Sequence, residues 1–582
     1  MSTDTPKLSP VESIKTASKY LKGTIGEEVA APVDHFDKDN LQLLKFHGSY
    51  QQDDRDARGA AKKEGGGKAY SMMLRLRIPG GRITSDQFLS MLDACEELGN
   101  STMKITTRQT IQLHGILKDN LRPTIKRIND MALSTLAACG DVNRNIMCCP
   151  AKRTGNVHAQ IEALTDELTT AMAPQTSAYH ELWLTDPESG EKTLEGGGNE
   201  GPTVHGRVSG DAVEPLYGAT YLPRKFKMGI GFPDDNCVDL YTQDIGLLAI
   251  VRDDNVIGYN VLVGGGMGTT PSAAKTFPAL AKRMAFATPE QVVAVCQCVL
   301  QVQRDNGNRA DRKVARLKYL IAEWGIEKFR AEVEKYYGEK LADCTPDDVH
   351  EVDDHMGWQA QGDGKWSYGL NIENGRLYDD NNHQLKAALR AVCHEFKTEI
   401  RMTGHQSVIF TDIAEADKDK LIGLVKQNQM PITEDTSTVR RWSMSCVALP
   451  TCGLAITESE RRLPSIIDGL EAPLAKLGLA KERFTIRMTG CPNGCARPYN
   501  ADIALVGKAK DKYTVFAGGG WLGNRLAFIY KDLVSDDVVV DELIAIFAAF
   551  KANREGTESL GDFCTRVGAE DLAVMAEAAP KP

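Results

Sequence analysis

Two closely spaced cysteine pairs near the C-terminal end are the residues whose types most directly indicate chemistry. Cys446 and Cys452 lie in MSCVALPTCGLAITE, and Cys491 and Cys495 lie in RMTGCPNGCARP. Thiolates are soft ligands, and the Pro and Gly residues between them favour the bent, non-helical backbone on which iron–sulfur clusters are held. The pattern therefore predicts an iron–sulfur site, and with it an electron carrier or a redox enzyme.

The spacing of these cysteines leaves two alternatives open. Five residues separate the first pair and three the second, whereas zinc ribbons place roughly two to four residues between ligands and often recruit histidine. No histidine lies in either motif, but zinc remains an alternative. Unligated cysteines are also common in protein cores, although the turn-forming CPNGC sequence suits a plain core poorly.

Length and composition limit the class of protein. The 582 residues exceed what one hydrophobic core organises, so about three to five domains are expected. The N-terminal sequence lacks a signal peptide, and no apolar run reaches the roughly 18 residues of a membrane span. Fourteen cysteines are too few for a disulfide scaffold, and a net charge of −10 disfavours a nucleic-acid binder. We therefore expect a cytoplasmic protein with neither membrane nor nucleic acid as a partner.

The chain also contains a long internal repeat. KITTRQTI (104–111) matches RMTGHQSV (401–408), and FKMGIGFPDDNCVDLYTQDI (226–245) matches FTIRMTGCPNGCARPYNADI (484–503). The second match sets Cys237 opposite Cys495. Few, long repeats indicate a duplication rather than a solenoid, with chance similarity as the alternative. On this interpretation only one half has kept the cluster ligands.

Each half combines a shorter and a longer α/β segment. Alternating β-branched strands such as SMMLRLRIP and helical patterns such as DQFLSMLDACEEL predict ferredoxin-like half-units paired across a pseudo-twofold axis. The predicted fold class is α/β (α+β), with two larger α/β domains beside the paired half-domains. The predicted segments are an N-terminal arm (1–45), a half-domain (46–132), a larger domain (133–345), a second half-domain (346–435) and a second larger domain (436–582), with a basic loop at 57–68 and a Gly-rich insertion at 187–213.

Four basic residues suit the binding of a small anion. These are Arg75 in MLRLRIP, Arg144 in CGDVNRNIM, and Lys225 and Lys227 in YLPRKFK. Arginine offers a planar fork that matches oxyanions, and lysine offers a mobile charge that can also donate a proton. Taken singly, each is more typical of a solvated surface. The two lysines, however, lie two residues apart on a predicted strand and would share one face.

A further basic group points to a larger anion. Arg309, Arg312 and Arg316 in NRADRKVARLK follow helical spacing. With Arg108 in TTRQT and His114 in QLHG, they supply more positive charge than a small substrate needs, so a polycarboxylate cofactor is one explanation. An exposed basic helix face is the alternative.

The chain resembles the siroheme-containing sulfite and nitrite reductases, most closely the assimilatory sulfite reductase hemoproteins, from about residue 43 to 568. The motifs that carry the resemblance are LKFHGSYQQDDRD, TTRQTIQLHG, CGDVNRN, LPRKFK, VGGGMG, NGNRADRKVARLKYL, TCGLAITESE, TGCPNGCARP and GDFCTRVG. The resemblance implies that both larger domains surround central cofactors, a [4Fe–4S] cluster and siroheme.

The resemblance also implies residue roles. The cluster ligands are Cys446, Cys452, Cys491 and Cys495, and the sulfur of Cys495 is shared with the siroheme iron. The implied contacts of the siroheme carboxylates are Arg108, His114, Arg309 and Arg316. The residues implied to bind and protonate sulfite are Arg75, Arg144, Lys225 and Lys227.

The implied reaction is the six-electron reduction of sulfite to sulfide. The chain carries no dinucleotide or flavin fingerprint, so another protein must deliver the electrons. Details such as HGSYQQ and EWGIEKFR resemble the ferredoxin-dependent branch more closely. The alternatives are a hemoprotein subunit fed by an NADPH-dependent flavoprotein, a siroheme nitrite reductase and, in a different class, a non-catalytic iron–sulfur or zinc-stabilised protein.

Overall fold

A computed structural model describes residues 7–63, 67–176, 178, 214–270 and 272–580. The Gly-rich insertion predicted at 187–213 lies outside the described residues. The strands are β1 (Ser49–Asp53), β2 (Tyr70–Arg75), β3 (Arg82–Thr84), β4 (Met103–Ile105), β5 (Ile111–Ile116), β6 (Met147–Cys148), β7 (Met228–Gly231), β8 (Ile245–Arg252), β9 (Asn255–Val263), β10 (Lys282–Ala287), β11 (Gly357–Ala360), β12 (Lys365–Leu370), β13 (Arg376–Leu377), β14 (Glu399–Met402), β15 (Val408–Ala414), β16 (Ser443–Ser445), β17 (Ile486–Thr489), β18 (Ile503–Ala509), β19 (Lys512–Ala517) and β20 (Phe528–Ser535).

The helices of the described residues cover both large sheets and the paired half-domains. They are α1 (Pro10–Ala17), α2 (Ile25–Ala30), α3 (Asn40–Leu43), α4 (Arg58–Lys63), α5 (Ser85–Glu97), α6 (Leu121–Asp130), α7 (Asn156–Ala171), α8 (Val292–Asn306), α9 (Leu317–Trp324), α10 (Ile326–Tyr337), α11 (Leu385–Phe396), α12 (Lys418–Gln427), α13 (Thr438–Arg441), α14 (Leu463–Lys476), α15 (Val539–Asn553) and α16 (Leu560–Ala578). No helix in these parts of the chain is long and apolar enough to cross a bilayer.

The two small sheets exchange a strand. The first has the order β1-β2-β5-β4-β13 and the second β11-β12-β15-β14-β3, so each sheet ends in a strand from the other half of the chain. Helices α5 and α11 pack beside this exchange, where Lys386 forms an ion pair with Glu96 at 2.6 Å. The paired half-domains predicted from the sequence are therefore confirmed, and neither sheet is complete without the other.

The two large sheets repeat one topology. Strands β6, β7 and β8 run parallel and continue into antiparallel β9 and β10, as β16, β17 and β18 continue into β19 and β20. The central strand β8, IGLLAIVR, is buried over its first six residues, which is typical of a strand covered on both faces. The shared topology agrees with duplication of the chain.

The N-terminal segment is more than a polar arm. It forms α1 to α3, and Leu21, Ile25, Phe36 and Leu44 are buried in the main core. These apolar residues are distributed over short helices and turns, so they produce no sustained periodicity in the sequence. The basic segment at 57–68 likewise contains a helix, α4, within its described part.

Candidate functional site

The four motif cysteines meet at one end of a parallel strand pair. Strands β16 and β17 pair in parallel, with Ser445 opposite Met488. Cys446 directly follows β16, and Cys491 follows β17 after Gly490. Because parallel strands end at the same sheet edge, both cysteine segments leave the sheet together. All four cysteines, Cys446, Cys452, Cys491 and Cys495, line one cavity.

The sulfurs are close enough to affect each other's ionisation. Burial, followed by the charge of Cys495, raises the thiol pKa of Cys446 and Cys452, and raises that of Cys491 to about 11. The N–H of Gly490 donates to Cys446 Sγ at 3.4 Å. Four mutually repelling thiolates are stabilised by a cationic centre that all of them bind, so the donor set fits an iron–sulfur cluster.

The first half-domain supplies the opposite wall of this cavity. Arg75, Lys104 and His114, from β2, β4 and β5, line it together with the cysteines. In the turn between β4 and β5, Thr107 Oγ1 donates to the carbonyl of Cys495 at 3.1 Å. The TTRQT motif therefore lies against Cys495, the cysteine that the family resemblance implies as the shared ligand.

A group of partly buried cationic side chains lies beside Cys495. The N–H of Arg144 donates to the carbonyl of Phe226 at 3.0 Å, which places Arg144 next to Lys225 and Lys227. Burial, followed by the charges of Arg144, Arg224 and Arg316, lowers the pKa of Lys225 to about 7. Burial and the charge of Arg108 hold the pKa of Lys227 well below its usual range. Because a charge of the same sign lowers a lysine pKa only from nearby, these basic side chains lie close together.

Few acidic groups neutralise these cations. Among described residues, no carboxylate lies within ion-pair distance of the Lys225 or Lys227 ammonium, whereas Arg316 pairs with Asp244 at 2.6 Å. Burial, followed by the charges of Arg497 and Arg144, holds the pKa of Arg108 well below its usual value. At this site, the buried nitrogens His114 Nδ1, Arg144 Nε and Arg316 Nε have no hydrogen-bond partner among the described residues. Partly buried ammonium groups without a carboxylate partner, together with buried donors without an acceptor, fit an anionic cofactor or substrate.

The predicted helix face carrying Arg309, Arg312 and Arg316 is wrong. Arg312 lies in a short 3₁₀ turn, Arg316 precedes α9, and Arg309 lies in a loop. The side-chain oxygen of Asn308 accepts the N–H groups of Ala310 and Asp311 at 3.0 and 2.8 Å, which competes with a continuous helix.

The three arginines consequently have different surroundings. The guanidinium of Arg309 contacts Glu12 and the carbonyl of Tyr221, and Arg312 pairs with Asp141 at 2.7 Å. Of the three, Arg316 is the one whose charge acts on both Lys225 and Lys227. A contact between Arg309 and siroheme stays a prediction.

The predicted strand for Lys225 and Lys227 also differs in detail. Strand β7 begins at Met228, so both lysines precede it. They flank Phe226, which forms an isolated parallel bridge with Asn143. The lysines are thus held by a local extended segment rather than by the main body of the sheet.

Sequence reasoning missed several residues that line or support the site. Lys104 is buried beside the cysteine cavity, although it begins the repeated KITTRQTI segment. Arg497, directly after CPNGCA, pairs with Asp239 in the first half of the chain. Cys139 receives a hydrogen bond from Arg75 Nη1 at 3.0 Å. The one sequence signal for these residues is their place in the quoted motifs KITTRQTI, CGDVNRN and TGCPNGCARP.

Comparison with known proteins identifies the family. The model "Nitrite and sulphite reductase 4Fe-4S domain" matches residues 163–341. The model "Nitrite/Sulfite reductase ferredoxin-like half domain" matches residues 64–131 and 359–428. The last two ranges contain most strands of the two strand-exchanging sheets, although β1 precedes the first range. The 4Fe-4S domain match lies within the larger domain of the first half, so it does not include the four motif cysteines of the second half.

Full-length relatives agree with these matches. The chain is 43% identical to "Sulfite reductase [NADPH] hemoprotein beta-component" of Staphylococcus haemolyticus, covering 97% of this chain and 95% of the relative. It is also 43% identical to "Sulfite reductase [ferredoxin]" of Synechococcus elongatus, covering 98% and 91%. The structure of Mycobacterium tuberculosis NirA protein is similar with a TM-score of 0.75 at 25% identity, covering 97% of both chains. The chain therefore belongs to the nitrite and sulfite reductase family.

Proposed function

We propose that this protein is an assimilatory sulfite reductase hemoprotein that reduces sulfite to sulfide with six electrons. The observation that carries the proposal is the convergence of four cysteines beside the partly buried Lys225 and Lys227, whose ammonium groups have no acidic partner among the described residues. Relatives at 43% identity that carry the name sulfite reductase support it. A siroheme nitrite reductase is the nearest alternative, because a nitrite anion suits the same cations.

The cofactors are assigned to residues by their donor chemistry. Cys446, Cys452, Cys491 and Cys495 hold the [4Fe–4S] cluster. Cys495 is the exposed member of the set, and its charge acts on Lys225, which supports its second role as a ligand of the siroheme iron. When bound, the cluster would pass on electrons from the donor protein, and siroheme would supply the iron centre for the reduction.

The charges of the siroheme carboxylates require cationic partners. Arg108, Arg316 and His114 are buried or partly buried beside the cysteine cavity, and two of them carry buried nitrogens without a partner among described residues. A carboxylate that accepts from these nitrogens removes the cost of leaving them unpaired. Arg309 is assigned to the same cofactor only on the resemblance.

Sulfite is assigned to the cationic group beside Cys495. Arg144, Arg75, Lys225 and Lys227 bind the sulfite oxygens, and the two lysines supply protons. Each oxygen of sulfite that leaves as water takes up two protons, so proton donors are needed beside the anion. A lysine with a pKa of about 7 can both donate and regain a proton near neutral pH.

The electron donor that we propose is ferredoxin, on the sequence details that resemble the ferredoxin-dependent branch. An NADPH-dependent flavoprotein subunit is the alternative, because relatives of both names occur. The cytoplasmic location predicted from the sequence belongs to the same proposal, since free thiols and reduced donors require a reducing compartment.

The activity is tested with the purified holoprotein under anaerobic conditions. Reduced methyl viologen, ferredoxin, or NADPH with a flavoprotein reductase is supplied with sulfite or nitrite, and sulfide or ammonia is measured. We expect sulfide with viologen and ferredoxin, and turnover of sulfite at a higher kcat/KM than nitrite. Sulfide formation only with NADPH and the flavoprotein would refute ferredoxin as the electron donor. A higher kcat/KM for nitrite, with ammonia as the product, would show that the protein is a nitrite reductase.

Two variants test the substrate residues directly. Lys225→Met and Lys227→Met should each lower kcat/KM for sulfite about 100-fold or more, because a preorganised charge is lost. The cluster and siroheme absorption should remain. Lys282→Met, which removes an exposed lysine on β10, is the matched control and should keep full activity. Unchanged kinetics in both substrate variants would refute the assignment.

A further inference from the structure

The first half of the chain contains a second group of ligand-type side chains. Cys149, Asp235, Cys237 and His355 are all buried. Cys149 directly follows β6, as Cys446 directly follows β16. The internal repeat sets Cys237 opposite Cys495. Both thiols of the group therefore lie at positions equivalent, by the pseudo-twofold symmetry, to those of cluster cysteines. The expectation that the first half lacks cluster-type ligands is therefore only partly right.

The first half cannot reproduce the cluster site itself. The repeat sets Pro233 opposite Cys491, and a carboxylate and an imidazole complete the group instead of thiols. Two thiolates with one nitrogen and one oxygen form a mixed donor set of intermediate softness. Such a set suits zinc better than an iron–sulfur cluster, which takes mainly thiolates.

The geometry of the group is compatible with one tetrahedral ion. The four candidate ligand atoms all lie within 4.8 Å of one another. Cys149 Sγ lies 2.8 Å from Asp235 Oδ2, and His355 Nε2 lies 3.1 Å from the same oxygen and 3.8 Å from Cys149 Sγ. Ligands at about 2.0–2.3 Å from a tetrahedral zinc are roughly 3.3–3.8 Å from each other. Only small side-chain shifts separate this arrangement from coordination.

The surrounding structure holds two of the ligands in position. Asp235 Oδ1 accepts the N–H groups of Cys237 and Asp353 at 3.0 and 3.2 Å, which leaves Oδ2 facing the group. The backbone N–H of His355 donates to Asp353 Oδ1 at 2.9 Å, and the ring turns Nε2 toward the group. Its Nδ1 lies 3.8 Å from Asp353 Oδ2 and makes no hydrogen bond among the described residues. Metal-bound histidines commonly donate this second ring nitrogen to a carboxylate, and Asp353 is the carboxylate nearby.

The group is also reachable from solvent. A surface cavity is lined by Cys149 and Asp235 together with His158, Phe232 and Asp353. A metal ion can therefore enter without unfolding of the domain, which is a requirement for a site filled after folding.

We propose that Cys149, Asp235, Cys237 and His355 bind one zinc ion. All four positions of a tetrahedral shell come from the protein, so the site is structural rather than catalytic. It connects the end of β6 and the segment after β7 to the residues just before β11. These segments are distant in sequence, since Cys149 and His355 are 206 positions apart. The ion thereby fastens the first large domain to the second half-domain.

The test uses the holoprotein from cells grown with added zinc. After removal of loosely bound metal with a weak chelator, elemental analysis should give one zinc per chain in addition to the cofactor iron. X-ray absorption at the zinc edge should show sulfur at about 2.3 Å and nitrogen or oxygen at about 2.0 Å.

Variants connect the zinc to these residues. Cys237→Ser and His355→Gln should lose zinc, while iron and siroheme contents stay at the wild-type level. Cys296→Ser, which changes a buried cysteine of α8 outside the group, is the control and should retain zinc. If these variants fail to fold, Asp235→Asn keeps the side-chain volume and should weaken zinc binding about 10-fold or more in chelator competition.

Two results would overturn the proposal. One is holoprotein with a full complement of iron and siroheme but no zinc, even after incubation with zinc alone. The other is a zinc content and zinc-edge spectrum that are the same in wild type and in every folded ligand variant, because the metal would then be bound elsewhere.

Discussion

Substitution of Glu460 by Gln should loosen the junction between the half-domains and the cysteine-bearing domain. Glu460 is 9% exposed and accepts from Lys104 Nζ at 2.6 Å and from Arg376 Nη2 at 3.1 Å. Lys104 belongs to β4 and Arg376 to β13, the strand contributed by the other half. The carboxylate therefore joins three parts of the chain, and its partner Lys104 lines the cysteine cavity.

The size of the effect follows from the charge environment. Burial opposes ionisation, but Arg376 and Lys104 outweigh it and lower the pKa of Glu460 from 4.5 to about 2. At about 1.4 kcal/mol per pH unit this corresponds to about 3 kcal/mol. Burial lowers the pKa of Lys104 and offsets part of this energy. Loss of one partner of a buried pair typically costs about 3–5 kcal/mol, so we expect about 3 kcal/mol for Glu460→Gln.

The pH dependence has a definite sign. Because the folded pKa of Glu460 is depressed, its stabilisation is fully present above pH 4.5 and is lost as the pH falls toward 2. Wild type and Glu460→Gln should therefore differ most near neutral pH, and the difference should shrink in acid.

Hydrogen exchange measures this local stability without requiring reversible unfolding of the whole chain. Amides of β4 and β13 in Glu460→Gln should exchange about 100-fold faster than in wild type at pH 7, as about 3 kcal/mol requires. Glu458→Gln is the matched control, because Glu458 pairs with the half-exposed Arg461 and such pairs contribute about 1 kcal/mol or less. Equal exchange in wild type and Glu460→Gln would refute the reasoning.

Three further predictions concern the proposed cofactor and substrate residues. Cys495→Ser should lose both cluster iron and siroheme absorption, whereas Cys564→Ser, a buried cysteine outside the cavity, should retain both; wild-type spectra in Cys495→Ser would exclude the shared ligand. The kcat/KM advantage of wild type over Lys225→Gln should be largest below pH 7 and decline above it, because the ammonium form is lost as the pH rises through about 7; a constant ratio from pH 6 to 9 would contradict this. Arg144→Lys should lower sulfite turnover although it keeps the charge, since the planar fork is lost, and wild-type kinetics would show that the fork is not used.

Local sequence predicted the elements of the fold well, because strand alternation and helical spacing depend on near neighbours. The repeat also predicted the duplicated halves. It could not predict that β3 and β13 exchange sheets, since strand pairing between distant segments leaves no local pattern. The scattered apolar residues of the N-terminal segment were missed for the same reason, because Leu21 and Phe36 become core residues only through tertiary contacts.

The candidate site was predicted where the residues lie within compact motifs. The four cysteines, the TTRQT turn and the LPRKFK segment do meet around one region. The arginines at 309, 312 and 316 were grouped wrongly, because the capping side chain of Asn308 interrupts the expected helix. Cys149 and His355 carried no sequence signal, since they are brought together only by folding.

The central claim, that four cysteines hold a cluster joined through Cys495 to siroheme, is tested most directly by cofactor stoichiometry. Iron, acid-labile sulfide and extracted tetrapyrrole are measured per chain on one sample of holoprotein made with full cofactor supply. The account predicts five irons, four labile sulfides and one siroheme, with the siroheme absent from Cys495→Ser. Holoprotein with cluster iron and sulfide but without tetrapyrrole would contradict it.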